Sequence, residues 1–546
     1  MSITIKFKDR PNLISEDPIT VREVLAKTGC SEEKGIVAAR VNHFQRPLSW
    51  QITFDSEIDF VMMNSIEGLE VYTRTLQLML TSAADRVCGI KLRLRHSMSQ
   101  SYFYDSADIS ISNEQFKKID EEMHRMVKDS VPLTREVMSV DKARTTMAAQ
   151  GYSDKEQLLR WANNDPVILY SCEGIYDFFG DALADTAACV PIFELHSYEG
   201  GMVLSPPVLS NVTKPVEFNP VAKTFALLQT YSKWMERFKI DTAAGLFKIT
   251  TGGYSRDLIM ACEAYHAKIL DRIAEHIEQR SSVRLLCLAG PSSSGKTTAS
   301  RRLREQLFTS GIESSTLELD NYFVDRSRTP RDGKGNYDFE ALEALDTDLI
   351  NEHLRDLLDG KEVTLPKFNF QTGERSAGPK MRLRPNDVLV IEGIHGLNDK
   401  ISESISKDEK YRIFLCPLAG TNLDIHNRIG TTDTRLLRRM VRDYRTRGHS
   451  PEDTLRQWPS VVRGSFVHIF PYQTNADEIF NTSLAYELPV LKGYVLPMLK
   501  SVPEDSEEHG EAHRLLALLD YVPIIPDDNV PNLSILREFI GGSCFE

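Results

Sequence analysis

The chain has 546 residues, 41% hydrophobic and 26% charged, with 65 basic against 78 acidic side chains and a formal net charge of −13. That length exceeds what one core supports, so roughly three or four domains are expected, and the composition excludes global disorder. The acidic balance argues against broad, non-specific nucleic-acid binding, while leaving room for a local basic patch.

No apolar run approaches membrane-spanning length, and the opening MSITIKFKDR lacks the apolar region of a signal peptide. The eight cysteines are scattered without a C-x-x-C pair. That spacing suits thiols in a reducing compartment, not a disulfide framework or zinc ribbon, and makes the cytoplasm the expected location.

Residues 1–66 read as a small α+β unit. Ile3–Phe7 alternates as a strand does, Val21–Leu25 has helical character and Val37–Val41 reads as a further strand. Ile19-Thr-Val-Arg-Glu-Val-Leu25, Ala39-Arg-Val-Asn42 and Glu67-Gly68-Leu-Glu-Val-Tyr72 resemble the TGS domain at the front of threonyl-tRNA synthetases. The resemblance implies a ubiquitin-like module without catalysis.

Residues 67–218 alternate helical and strand-like stretches and resemble the second additional domain of the same synthetases, which in that family carries an editing site. The editing site uses an H-x-x-x-H pair and a later C-x-x-x-H pair. Here Leu76–Val87 contains no histidine, and Phe193 stands where the partner of Cys189 would fall. An editing hydrolase is therefore not expected, and Cys189 reads as a packed thiol.

Residues 219–280 read as helical linkers. Phe225, Leu228, Tyr231 and Met235 recur at helix spacing, as do the apolar residues of Leu258–Ile277.

Residues 281–546 carry the chemistry. The apolar run Val283–Ala289 leads into Gly290-Pro-Ser-Ser-Ser-Gly295-Lys296-Thr297, and Ala299, Leu303 and Leu307 follow at helical spacing. Strand, loop and helix form the context that makes G-x-x-x-x-G-K-[ST] a phosphate loop. Gly290 and Gly295 let the backbone approach a phosphate chain, and Ser292, Ser293, Ser294 and Thr298 would offer backbone N–H groups to it. Lys296 would reach the β- and γ-phosphates, and Thr297 would ligate Mg²⁺.

Further apolar runs at Ser315–Leu319, Val388–Ile391 and Tyr411–Cys416 alternate with helical stretches, the rhythm of a parallel sheet with helices on both faces. Charge- and glycine-rich loops are expected at Asp325–Asn336 and Gln371–Lys380, and a solvated acidic loop at Pro503–Glu511. Glu392 ends one strand, where an acid can help hold Mg²⁺; capping a nearby helix is the alternative. Asp320 follows another strand, where it would face the same crevice and accept a proton from a substrate hydroxyl, or else serve only as a turn residue. Between Asp424 and Arg447 lie seven arginines against three aspartates. Arg435, Arg438, Arg439 and Arg442 fall largely on one helix face, as a mobile phosphate-clamping lid would require; a solvated mixed-charge face is the alternative, and the lack of interleaved aromatics weakens a nucleic-acid patch.

Together with the phosphate loop, Asp320-Asn-Tyr322-Phe323, Asn336-Tyr-Asp338, Leu365-Pro-Lys-Phe368-Asn-Phe370 with Arg375, Ile391-Glu-Gly-Ile394 and Arg435–Asp443 resemble the uridine kinase and phosphoribulokinase group of P-loop kinases. The resemblance implies an α/β fold with a P-loop NTPase parallel sheet flanked by helices. It implies Asp320 as catalytic base, with Lys296, Arg439 and Arg442 neutralising phosphate. On the acceptor side it implies Asp338 as a ribose ligand and Tyr322, Phe368, Arg375, Arg447 and His449 around the substrate. Where uridine kinases read the pyrimidine with tyrosine, histidine and arginine, this chain has Phe368, Gly373 and His449. The ribose machinery matches and the polar base readers do not, which leaves the base open.

The expected activity is ATP-dependent phosphorylation of a ribonucleoside 5′-hydroxyl, with ATP or GTP preference undecided. A sugar or polyol kinase is one alternative. The other is a nucleotide-switched protein that binds tRNA or a partner through its front half. The expected partner is a small-molecule acceptor, with no membrane and no nucleic acid, and a homo-oligomer is compatible with the sequence.

Overall fold

The computed structural model describes residues 2–545 apart from 31–34, 99, 162–165, 221, 332–334, 336 and 419. Asn336, quoted in one motif above, lies outside the described residues. The chain divides into two compact units. The first comprises Met1–Lys248, Thr421–Ile429 and Leu499–Pro523; the second comprises Ile249–Gly420, Gly430–Met498 and Ile524–Glu546.

The first unit opens with a five-stranded mixed sheet. Strands Ile3–Lys6 and Ser56–Met62 run parallel at its centre, and Ile36–Val41 pairs antiparallel with the latter. The helix Val21–Lys27 starts at a reciprocal cap. Thr20 accepts the Glu23 amide at 3.2 Å while the Glu23 carboxylate accepts the Thr20 amide at 2.8 Å, satisfying two otherwise orphaned donors. Its apolar residues Val21, Val24 and Leu25 close a core with Ile3, Ile5 and Ile58.

A separate core surrounds the helix Ile66–Cys88, whose buried face runs from Tyr72 through Leu76 and Met79 to Ala83. A four-stranded antiparallel sheet covers it, in the order Glu194–Tyr198, Gly201–Ser205, Ser101–Ser106, Leu92–Met98. Phe193, in the position left without a histidine, is buried and packs against His124 with centroids 4.8 Å apart and ring planes tilted by 43°. The acidic loop near 503–511 keeps Glu504, Asp505 and Glu507 exposed, as expected, while its far end is docked. Gly510 lies so close to the His43 carbonyl that an added Cβ would come within 2.1 Å of it.

The second unit is built on a parallel sheet of five strands: β1 (Leu285–Ala289), β2 (Ser314–Glu318), β3 (Val388–Gly393), β4 (Lys410–Cys416) and β5 (Glu478–Asn481). Their order is β2-β3-β1-β4-β5, with every pairing parallel. Central β1 and β3 are buried at every position, as strands covered on both faces must be. Helix α1 (Lys296–Thr309) follows β1, and helix α2 (Thr431–Arg447) carries the arginine row.

Two expectations are corrected here. The stretch from 255 to 278 is helical, as its spacing predicts, but it is a packed part of the second unit and not a linker. It forms the helix Ser255–Glu278, whose buried Glu263 accepts Arg302 of α1 at 3.0 Å and the Tyr486 hydroxyl at 2.7 Å. Gln371–Lys380 is not a loop either, since Glu374–Met381 pairs antiparallel with Val363–Asn369 as a two-stranded hairpin. Almost every residue of that second strand faces solvent or is only half-buried, so no apolar alternation marked it.

Candidate active site

The loop after β1 has little conformational choice. An added Cβ on Gly290 would fall 1.9 Å from the Leu415 carbonyl of β4, so only glycine can leave the strand at this point. Ser293 and Gly295 both take left-handed backbone, at φ 61° and 84°, and Gly295 at the start of α1 brings no capping side chain of its own. The amides of the first turn of α1 therefore face out of the helix with its positive end behind them, which is the geometry that holds phosphate. A Gly295→Ala change adds left-handed strain of roughly 1–2 kcal/mol to a clash with Ile535 Cγ2 at 2.4 Å. The expected result is a lower melting temperature together with weakened nucleotide binding, read by thermal denaturation and nucleotide titration.

Lys296 curls back over the loop and donates to the carbonyls of Gly290 (3.0 Å) and Pro291 (3.3 Å). Burial lowers its pKa, and the carboxylates of Asp320, Glu538, Glu392 and Glu340 oppose that shift. The ammonium thus sits as one cation among several acids. The Thr297 hydroxyl donates to Glu392 Oε1 at 3.1 Å, while buried Glu392 Oε2 has no hydrogen-bond partner among the described residues. Burial, with Glu318 and Glu538 nearby, pushes the Glu392 carboxyl up to about 7. Ser292 and Ser294 face other ways: the Ser292 hydroxyl and carbonyl meet arginines, and the Ser294 carbonyl accepts the Thr482 hydroxyl at 2.7 Å.

Asp320 is exposed on a single 3₁₀ turn, Leu319–Tyr322, directly after β2. The turn is anchored by its neighbours. Leu319 is buried so close to Gly393 at the end of β3 that a Cβ there would meet it at 2.7 Å. Lys296, Glu340 and Arg447 all feel the Asp320 charge, which puts Asp320 within electrostatic reach of the phosphate loop, at the carboxyl ends of the strands where open α/β sheets form their ligand crevice. Tyr322 goes elsewhere. It is 1% exposed in the core and its hydroxyl meets His353 Nδ1 at 2.9 Å.

The arginine helix is a packed wall of this site and not an open lid. Arg435 is fully buried, donating to the Ser292 carbonyl at 2.9 Å with its guanidinium 5.3 Å from the Trp458 ring centre. Arg438 donates to Glu487 and to the Thr482 carbonyl at 2.8 Å. Arg439 donates to the Ser292 hydroxyl at 3.0 Å. Buried Asp443 gathers Arg439 (3.1 Å), Arg442 and Arg447 (3.5 Å). Burial works against its charge, yet these arginines, Arg442 foremost, hold its carboxyl below the usual range. His449 follows the left-handed Gly448 cap, donates its amide to the Asp443 carbonyl at 3.2 Å, and keeps a buried Nδ1 without a hydrogen-bond partner among the described residues.

On the acceptor side Asp338 Oδ1 accepts the Glu340 amide at 3.1 Å, and its carboxylate lies 3.9 Å from His468 Nε2. Phe368 is buried, with Phe370 and Phe323 rings at 5.1 and 5.6 Å. Arg375 is held by Asp346 at 2.9 Å. Gly373 has φ 74°, and a Cβ there would strike Arg326, the nearest atom at 2.7 Å. Arg326 Nη2 donates to the Phe370 carbonyl at 2.8 Å, so a guanidinium fills the space that a histidine at 373 would need.

Sequence reasoning missed two residues here. Glu340 keeps its Oε2 buried and without a hydrogen-bond partner among the described residues, and Arg439, Arg435, Lys296 and Asp320 all act on it electrostatically. Glu538 accepts the Thr298 amide at 3.0 Å. Neither lies in a spacing pattern; Glu340 is close behind a recognised motif, and Glu538 is 240 residues from its partner.

Residues 285–486 match the model of the phosphoribulokinase / uridine kinase family. A uridine kinase of Deinococcus deserti is 33% identical over 176 residues, covering 32% of this chain and 76% of the relative. A uridine kinase of Halobacterium salinarum is 29% identical over 177 residues, covering 32% and 69%. Among solved structures, a D-glycerate 3-kinase from Cryptococcus neoformans var. grubii aligns over 48% of this chain and 89% of its own, at 14% identity and a TM-score of 0.21. The phosphate loop, the parallel sheet behind it and this sequence identity lead to one conclusion: the chain belongs to the phosphoribulokinase / uridine kinase family.

Proposed function

We propose that this protein is an ATP-dependent kinase of a small-molecule hydroxyl, with the 5′-hydroxyl of a ribonucleoside as the acceptor. The observation that carries the reading is the convergence of Lys296 and Asp320 on one crevice beside the phosphate loop. Asp320 takes the proton of the acceptor hydroxyl as its oxygen attacks the γ-phosphorus. The bond to the β–γ bridging oxygen breaks, and ADP leaves. Lys296, Arg439 and Arg442 offset the charge on the transferring group. Asp338 holds a ribose hydroxyl, with Phe368, Arg375, Arg447 and His449 around the acceptor.

The residues fit a divalent cation. A threonine hydroxyl beside a buried carboxylate with one unpartnered oxygen, crowded by further acids, is an oxygen donor set of the hard-cation type. Thr297 and Glu392 would hold Mg²⁺, which when bound supplies positive charge at the phosphate oxygens. Because the folded pKa of Glu392 is raised to about 7, its ionisation weakens the ligand-free fold as pH rises from the ordinary carboxylate range through about 7. Glu392→Gln is therefore expected to leave that fold at least as stable at pH 8, while lowering kcat/KM by about 10–100-fold. Melting curves and a magnesium titration of the rate check both halves. Loss of stability in the variant would contradict the assignment.

A second reading, a sugar or polyol kinase, draws support from Arg326 filling the space beside Gly373, since the polar base reader is replaced by a charge. An ADP-release screen of purified protein across nucleosides, sugars and polyols separates the two. The front half, resembling synthetase domains, is proposed to be non-catalytic in either case.

A further inference from the structure

The last segment of the second unit, Ile524–Glu546, lies beyond the 285–486 family match, yet it packs on the phosphate loop. Ile535, Leu536 and Phe539 are fully buried. Ile535 fills the space over Gly295, and the Phe539 ring centre lies 5.1 Å from the Arg438 guanidinium. Ser534 meets the Tyr486 hydroxyl at 2.9 Å, and Arg537 is tied to Asp527 at 2.8 Å. This support is rigid on both sides of Glu538 and delivers its carboxylate to the Thr298 amide at 3.0 Å.

Thr298 is the third residue of α1, and its amide is one of the outward donors of the phosphate loop. An N–H directed at a carboxylate oxygen cannot also serve a phosphate oxygen. Glu538 further adds negative charge beside Lys296 and Glu392, where a triphosphate must bring several more. We propose that Glu538 is a built-in phosphate surrogate: a carboxylate from the C-terminal segment that competes with nucleotide for the loop and sets its affinity. This rests on the donor-site reading above. Nucleotide binding then turns the Glu538 side chain off the loop and loosens the segment that carries it.

The test is titration of full-length wild type, Glu538→Gln and Glu538→Ala with Mg·ATP, with Lys296→Ala as control. Removing the competitor is expected to tighten ATP binding by about tenfold, the scale of one charge-assisted hydrogen bond plus repulsion. Amide exchange in residues 535–540 of the wild type should quicken on adding ATP. Unchanged or weaker affinity in both variants, with only a lower melting temperature, would make Glu538 a simple helix cap and overturn the proposal. If the variants fail to fold, unchanged or slowed exchange in the wild type overturns it equally. Binding that Lys296→Ala does not weaken would instead bring down the donor-site reading itself.

Discussion

Asp320→Asn is expected to lower kcat by about 10²–10⁴-fold, the usual contribution of a positioned general base, while the affinity for ATP stays within about twofold. The separation follows from where the residue sits. Asp320 is exposed on its turn, so loss of its charge removes no core contact, and the loop that would hold the phosphates is built from other residues. The anchors of the turn, Leu319 and Tyr322, are buried side chains that the substitution leaves unchanged. The measurement is steady-state turnover on the acceptor found in the ADP-release screen, alongside ATP titration and a melting curve. Full turnover in the variant would remove Asp320 from the role of base. Matching losses of turnover, ATP binding and stability would show damage to the fold and not to proton transfer.

The largest stability effect is expected within the first unit. Lys155, on the helix Ser153–Leu159, is completely buried. Its ammonium pairs with Asp177 and, at 2.9 Å, with Asp424. Asp177 also meets His426 Nδ1 at 2.6 Å, and His426 Nε2 reaches the Leu92 carbonyl at 3.1 Å. Burial works against ionised Asp177, but Lys155 and His426 hold its carboxyl down to about 2. Lys155→Met strands two buried aspartates and is expected to cost about 3–5 kcal/mol, the penalty for removing one partner of a buried ion pair. Urea unfolding gives the number, and a loss under about 1 kcal/mol would show that the acids simply protonate.

The same cluster sets an acid limit. The folded pKa of Asp177 lies below its unfolded value, so its stabilising contribution is present above the ordinary carboxylate range and is lost as pH falls from about 4 toward about 2. In Lys155→Met the stronger of the two attractions behind that depression is removed and His426 remains. The cluster then contributes less pH dependence, so the stability gap between variant and wild type, read by urea unfolding followed by circular dichroism, is expected to narrow as pH falls from about 4 toward about 2.

Much of the second unit was legible because its signals are local. Val388–Ile391 and Tyr411–Cys416 are apolar runs buried on both faces and bounded by loops, and the structure extends them only to Val388–Gly393 and Lys410–Cys416. The phosphate loop is legible for a stricter reason: Gly290 and Gly295 sit where any side chain collides or strains the backbone. The arginine helix was legible as a helix from its spacing, but its role as a wall was not. Burial of Arg435 and Arg438 depends on partners at Ser465, Glu487 and Thr482, none of which leaves a trace in the helix itself.

By itself, the sequence determined that a nucleotide-binding loop lies between a buried strand and a helix, and that an acid follows each of two further strands. Those features repeat at short range, where spacing and steric limits act on neighbours in the chain. Only the tertiary structure decided the partners contributed from a distance. The segment 421–429, inside the family-matched stretch, belongs to the first unit and supplies Asp424 and His426 to its buried charge cluster. Tyr322 went to the core, Arg326 took the space beside Gly373, and Glu538 reached the loop from 240 residues away. A buried charge or an occupied amide is satisfied by whatever the fold brings near it, and no periodicity along the chain records which residue that will be.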